Sequence, residues 1–179
     1  VLKLFTKAIE DNIVAIGITD YFMINGYKRI TEQYLNNPDK LTALFPDPDI
    51  REKIKNIYIF PNIELRLNTF VGKDANSVNY HVIFSNTVSI QDINDNFIQQ
   101  LKFIQDAGNE VSLTQANIEQ YGRSLIENNG ETGSELLVGL KHISLNDNMI
   151  LQTLKRHKSF EGKYIITIPV DEDLSLIPW

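Results

Sequence analysis

The chain has 179 residues, 42% hydrophobic and 22% charged, which is enough for one domain with a sizeable core. Its formal net charge of −6 opposes non-specific binding to a polyanion unless cations cluster or metals intervene. Cysteine is absent, which excludes disulfides and thiolate metal sites, and no apolar run approaches the roughly 20 residues that span a bilayer.

Any metal must therefore be held by oxygen and nitrogen ligands, and a reducing cytoplasm fits the composition. Leu2, Leu4, Phe5, Ala8 and Ile9 recur at helical spacing, so residues 2–11 are predicted to form an amphipathic helix. It feeds a strand over 13–19, where Ile13-Val14-Ala15-Ile16-Gly17-Ile18 runs into Thr19-Asp20-Tyr21. A second helix is predicted over 26–36, with Tyr27, Ile30, Tyr34 and Leu35 facing inward. Asn36-Asn37-Pro38-Asp39 and Pro46-Asp47-Pro48-Asp49 are turn sequences flanking a short helix at 39–45. A brief helix over 50–55 leads into a strand at 56–60 that extends to Leu67 and carries Pro61-Asn62-Ile63-Glu64.

The polar stretch Gly72–Ser77 is predicted to turn the chain into a strand at 78–84, which carries His81, one of three histidines. Alternation puts Asn79, His81 and Ile83 on one face and Tyr80, Val82 and Phe84, the core-like set, on the other. Ile90, Ile93, Phe97, Leu101 and Ile104 then form a helical pattern. Ser112 or Thr114 is expected to cap a helix at 114–127 that Asn128-Asn129-Gly130 ends. A long helix with a break near Leu145-Asn146 is expected between Gly133 and Lys158. It ends in the basic run Lys155-Arg156-His157-Lys158, a solvated helix end or a phosphate contact. The last predicted strand, 164–170, precedes Asp171-Glu172-Asp173. Because the chain opens on Val1 and stops at Trp179 after an apolar segment, it is read as a piece of a longer protein.

Strands separated by helices predict an α/β fold with much parallel sheet. Ligands of such folds gather at the carboxyl ends of the strands, so the rim is expected to present Asp20, Glu64 and Asp171 or Glu172, with His81 nearby. Carboxylates and an imidazole converging there form part of a metal site. Simpler roles compete. Asp20 can cap a following helix, Glu64 can be exposed on an edge strand, and His81 can be an ordinary satisfied histidine. Arg66 shares the face of Glu64, where it would bind a phosphate or pair with that carboxylate. His142 and His157 are expected on helix surfaces, and Phe97, Phe103 and Tyr121 in the core.

Four stretches, taken in order, resemble the polymerase-and-histidinol-phosphatase (PHP) domain. They are Ala8-Ile9-Glu10-Asp11-Asn12 with Ile16-Gly17-Ile18-Thr19-Asp20-Tyr21-Phe22, Pro61-Asn62-Ile63-Glu64-Leu65-Arg66-Leu67, His81-Val82-Ile83-Phe84-Ser85, and Gly162-Lys163-Tyr164-Ile165-Ile166. In particular they look like the version at the amino end of TrlF-type proteins, which join a PHP-like domain to an AAA-like, SMC-related ATPase. The resemblance implies a single PHP-like domain over 1–179 with a distorted (β/α)7 barrel. That barrel would be partial here, because the opening His-x-His strand would lie just before Val1. It also implies a site for zinc, manganese or iron that hydrolyses phosphoesters. In that site Glu64 matches a bridging glutamate and His81 a ligand histidine. Asp20 matches the aspartate of a Thr-Asp-His motif whose histidine is replaced by Tyr21. No Asp-x-His pair follows later in the chain.

Paired cations held by carboxylates and imidazoles neutralise phosphoryl oxygens and ionise water. The metal ligands expected are Glu64, His81 and Asp20, with Asp20, Tyr21 and Arg66 acting on the substrate. A phenol ligates poorly because its reference pKa is about 10, so Tyr21 is expected to orient a phosphate or a water instead. The reading is a metal-dependent phosphoesterase or nuclease-type domain, with a nucleic acid or other phosphoester as substrate and the ATPase of the same parent chain as partner. Its alternatives are a PHP-derived module that has lost chemistry and acts in nucleic-acid or partner binding, and an unrelated α/β domain.

Overall fold

Local capping chemistry sets most helix boundaries. The computed structural model describes residues 1–71, 76–105 and 108–169. Helix α1 (Leu2–Glu10) ends before Asn12, whose φ of 54° is a left-handed geometry that asparagine tolerates. Strand β1 (Ala15–Tyr21) follows, then α2 (Asn25–Ile30), which continues as a π-helical turn over Thr31–Leu35. Asn37 and Asp47 cap α3 (Pro38–Leu44) and α4 (Pro48–Lys55), each with proline at the first helical position. Strands β2 (Tyr58–Val71) and β3 (Asn76–Phe84) come next, and Gly72–Ala75 of the expected turn lie outside the described residues.

Helix α5 (Ile90–Asn96) is shorter than its apolar repeat predicts. Asn94, Asp95 and Asn96 are weak helix formers, and the Gln100 side chain donates to the Asp95 carbonyl at 2.9 Å, taking a helical acceptor. Residues 102–104 instead form β4 (Lys102–Ile104), which makes a hairpin with β5 (Glu110–Ser112), and Ile104 is exposed. Thr114 caps α6 (Gln115–Asn129), which ends at Gly130 with φ 73°. The expected break in the next helix is real. α7 (Glu135–His142) and α8 (Asp147–Arg156) are separated by a segment in which Leu145 bridges to Leu67 of β2. Strand β6 (Tyr164–Thr167) is the last, and Asp171, Glu172 and Asp173 lie outside the described residues.

The main sheet has the order β1-β2-β3-β6. β1 and β2 are parallel, as expected, but β3 is antiparallel to both β2 and β6. This corrects the expectation that all strand ends share a rim. The short connection between β2 and β3 leaves no room for a crossover, so β3 must return alongside β2. Glu64 lies on an inner strand, not an edge strand. The fold is mixed α/β, and the sheet of the described residues does not close into a barrel.

Helices cover one face of this sheet. Ile63, Leu65 and Leu67 of β2 and Val78, Val82 and Phe84 of β3 point into one core cluster, and Ile59 of β2 joins a second with Phe5, Tyr27, Leu41 and Phe45. Phe84 packs against Phe97 and Phe160 with ring centroids 5.2 Å away in each case. Phe97, Phe103 and Tyr121 are buried, as expected. Among the described residues no hydrophobic side chain on the other face is buried, and Tyr58 and Ile165 there are largely exposed. The described residues thus leave one side of the sheet open.

Candidate functional site on the open sheet face

Strand register assembles the polar residues of the open face. Tyr21 pairs with Glu64, Glu64 with His81, and His81 with Thr167, forming one row across four strands. Directly paired residues share a face at one strand spacing, about 4.8 Å. The next row is Thr19, Asn62, Ile83 and Ile165, and on the other side Arg66 pairs with Asn79. Phe60, Ile83, Ile165 and Gly17 line an adjoining depression of about 380 Å³. Glu64 and His81 therefore meet although their strands run in opposite directions, because both lie within their strands rather than at the ends.

Asp20 does not join them. It pairs with Ile63, so alternation turns it to the helix-covered face. Its carboxylate accepts hydrogen bonds from the N–H groups of Gly26 (2.8 Å) and Tyr27 (3.2 Å) in the first turn of α2. The residue before that helix, Ile24, offers no side-chain cap, and Asp20 supplies one from β1. A Cβ on Gly26 would meet Asp20 Oδ1 at 2.7 Å, so glycine lets the carboxylate approach. The expectation of Asp20 as a metal ligand beside Glu64 and His81 is corrected on this geometry.

Burial raises the Asp20 pKa above 3.8, against the lowering effect of the Tyr27 and Gly26 N–H groups. Folding thus favours the neutral acid. The associated stability is fully present below the unfolded value and is lost as pH rises through the folded one. Asp20→Asn, which keeps an acceptor without the charge, is expected to match or exceed the parent's stability at neutral pH, with that advantage vanishing in acid. Asp20→Ala is expected to lose about 1 kcal/mol. Urea melts of the three proteins at both pH values check this.

Arg66 and Tyr21 hold each other. Arg66 Nη2 donates to the Tyr21 hydroxyl at 3.2 Å, the guanidinium carbon lies 5.4 Å from the ring centroid, and the Tyr21 hydroxyl donates to Asn79 Oδ1 at 3.2 Å. Arg66 Nη1 donates to the carbonyls of Leu140 and Lys141 in the last turn of α7, where a cation also complements the helix dipole. The expected alternatives, a free phosphate ligand or a partner of Glu64, give way to this anchoring role. Among the described residues no hydrogen bond or ion pair reaches the Glu64 carboxylate.

Phe22 completes the rim. Its φ of 59° is unusual for a bulky side chain, and its N–H donates to the Glu64 carbonyl at 3.0 Å. The reversal sends Phe22 fully into the core and leaves Tyr21 on the open face. His142 pairs with Glu131 at 3.1 Å on the surface, and His157 is half-buried with its ring 6.0 Å from Phe160, so neither reaches the row.

Asn62, Thr19, Asn79 and Thr167 were not singled out from sequence as site residues. Alternation puts Asn79 on the face of His81, as expected, and Asn62 on that of Glu64, but only the register brings the strands together. Glu64 and His81 offer oxygen and nitrogen donors suited to a divalent ion, yet among the described residues no three histidine or acidic side chains cluster to hold one. Two donors leave at least two positions of a tetrahedral ion to other ligands. No family model, no curated protein and no solved structure matches this chain.

Proposed function

We propose that the chain is a PHP-like domain of a larger ATPase-linked protein, and that its open sheet face contributes Glu64 and His81 to a divalent-metal site for phosphoester hydrolysis. The direct register of Glu64 with His81 on an uncovered face carries this reading. A carboxylate and an imidazole one strand apart suit zinc, manganese or iron, and the remaining ligands come from outside the described residues. When bound, such ions would supply charge neutralisation and an ionised water. The apolar depression beside the row would hold the non-reacting part of a phosphoester, with nucleic acid as the substrate class. Among the described residues no helix is long and apolar enough to cross a membrane.

A specific observation favours a second reading, a PHP-derived module that binds nucleic acid or its ATPase partner without chemistry. Tyr21 fills the position next to Glu64, and its hydroxyl is already engaged by Arg66 and Asn79. Titration of zinc and of manganese into the protein tests both readings. Glu64→Gln and His81→Gln are each expected to weaken binding by about tenfold or more, whereas Asp20→Asn leaves it unchanged. Equal affinity in all four proteins removes the metal site. Glu64-dependent cleavage of a nitrophenyl phosphodiester supports the hydrolase, and metal binding without cleavage supports the recognition module.

A further inference from the structure

Among the described residues Asn62 is the one strongly buried polar residue on the open face, only 8% exposed, and it touches a proposed ligand. Its Nδ2 donates to Thr19 Oγ1 at 2.7 Å and lies 3.2 Å from His81 Nδ1. Its Oδ1 is buried with no partner. The amide has two possible orientations, and counting orphaned groups separates them. With Nδ2 toward Thr19 and His81, both N–H groups are used and one acceptor is orphaned. With Oδ1 there, that oxygen accepts from Thr19 and from His81 Nδ1–H, but two N–H groups are left in the orphaned position. The first arrangement loses less. It requires an unprotonated Nδ1, which places the proton of neutral His81 on Nε2.

We propose that Asn62 is the positioning residue that sets the tautomer of His81. In the metal-free protein it holds His81 as an Nε2–H donor. His81 ligates through Nε2 only after its proton passes by way of solvent from Nε2 to Nδ1 and the Asn62 amide turns over, so that Oδ1 accepts a hydrogen bond from Nδ1–H. The ligating step rests on the reading of Glu64 and His81 as metal ligands, but the tautomer does not. A histidine bound to metal through one nitrogen normally donates its other N–H to a carboxylate or carbonyl, and an aspartate at 62 would offer an acceptor in either orientation. The asparagine therefore opposes metal entry, and Asn62→Asp relieves it.

Nitrogen-15 NMR of the neutral imidazole reads both nitrogens directly. The parent protein without metal is expected to show Nε2 protonated and Nδ1 bare, and Asn62→Asp the reverse. With zinc, the parent is expected to show Nδ1 protonated and Nε2 shifted by the metal, and Asn62→Asp to bind zinc about tenfold more tightly. A protonated Nδ1 in the metal-free parent overturns the proposal without any variant. Zinc bound through Nδ1 overturns it as well. If the tautomers are as expected but neither protein binds zinc, the assignment of Asn62 stands and the metal reading fails.

Discussion

Alanine at Gly122 or Gly139 is expected to lower the unfolding free energy by about 3 kcal/mol or more, the overpacking penalty at a site that cannot relax. In an exposed helix the same change stabilises by up to about 1 kcal/mol, so the expected sign is opposite to that of helix propensity. The reason is backbone contact between α6 and α7. A Cβ on Gly122 would collide with the Glu135 carbonyl oxygen and lie 2.8 Å from the Gly139 nitrogen. A Cβ on Gly139 would collide with the Ile118 carbonyl oxygen and lie 2.7 Å from Ile118 Cγ2. Backbone atoms cannot rotate away, so the helices must separate and the buried side chains of Ile118, Tyr121 and Val138 must loosen. A urea melt giving an unchanged or raised midpoint for both variants would show that the two helices do not approach this closely. Because α7 also receives Arg66, the separation is expected to reach the open face.

Arg66→Ala is expected to cost about 2 kcal/mol, because its charged donors serve two carbonyls at the end of α7 and the Tyr21 hydroxyl. Arg66→Lys is expected to recover less than half of that loss, since one ammonium on a flexible stem cannot span three acceptors in the fork geometry. The second signature lies in Tyr21, whose ring loses its stacked cation and whose hydroxyl keeps only Asn79. Tyr21 fluorescence or ring NMR lines should therefore change in Arg66→Ala and remain as in the parent in Asp20→Asn. An arginine held free for phosphate predicts the contrary pattern of unaltered melting with weakened anion binding. Stability and anion affinity measured on the same variants decide between the two.

Much of the chain was readable because its signals are local. Thr114 begins a helix for reasons contained in a few residues and Gly130 ends it through its own φ, whereas Pro38 and Pro48, expected in turns, are the first helical residues behind the caps Asn37 and Asp47. The alternation of Asn79, His81 and Ile83 against Val82 and Phe84 correctly separated the open face of β3 from its buried face. The repeat from Ile90 to Ile104 misled because apolar spacing is blind to the Asn94-Asp95-Asn96 break, after which Phe97 and Leu101 reach the core from non-helical backbone. Glu64 and His81, singled out by residue type and flanking pattern, pair directly across β2 and β3. Asp20 was misplaced by one step of alternation, because Tyr21 and not Asp20 is the β1 residue paired with Glu64.

By itself the amino-acid order determined the cap at Thr114, the two faces of β3 and the absence of thiolate ligands, since each depends on near neighbours or on composition alone. Only the tertiary structure decided that β3 runs back against β2, that Asp20 serves the start of α2, and that Arg66 anchors the end of α7. Those outcomes depend on contacts between segments tens of residues apart, where a shift of one residue exchanges the two faces of a strand.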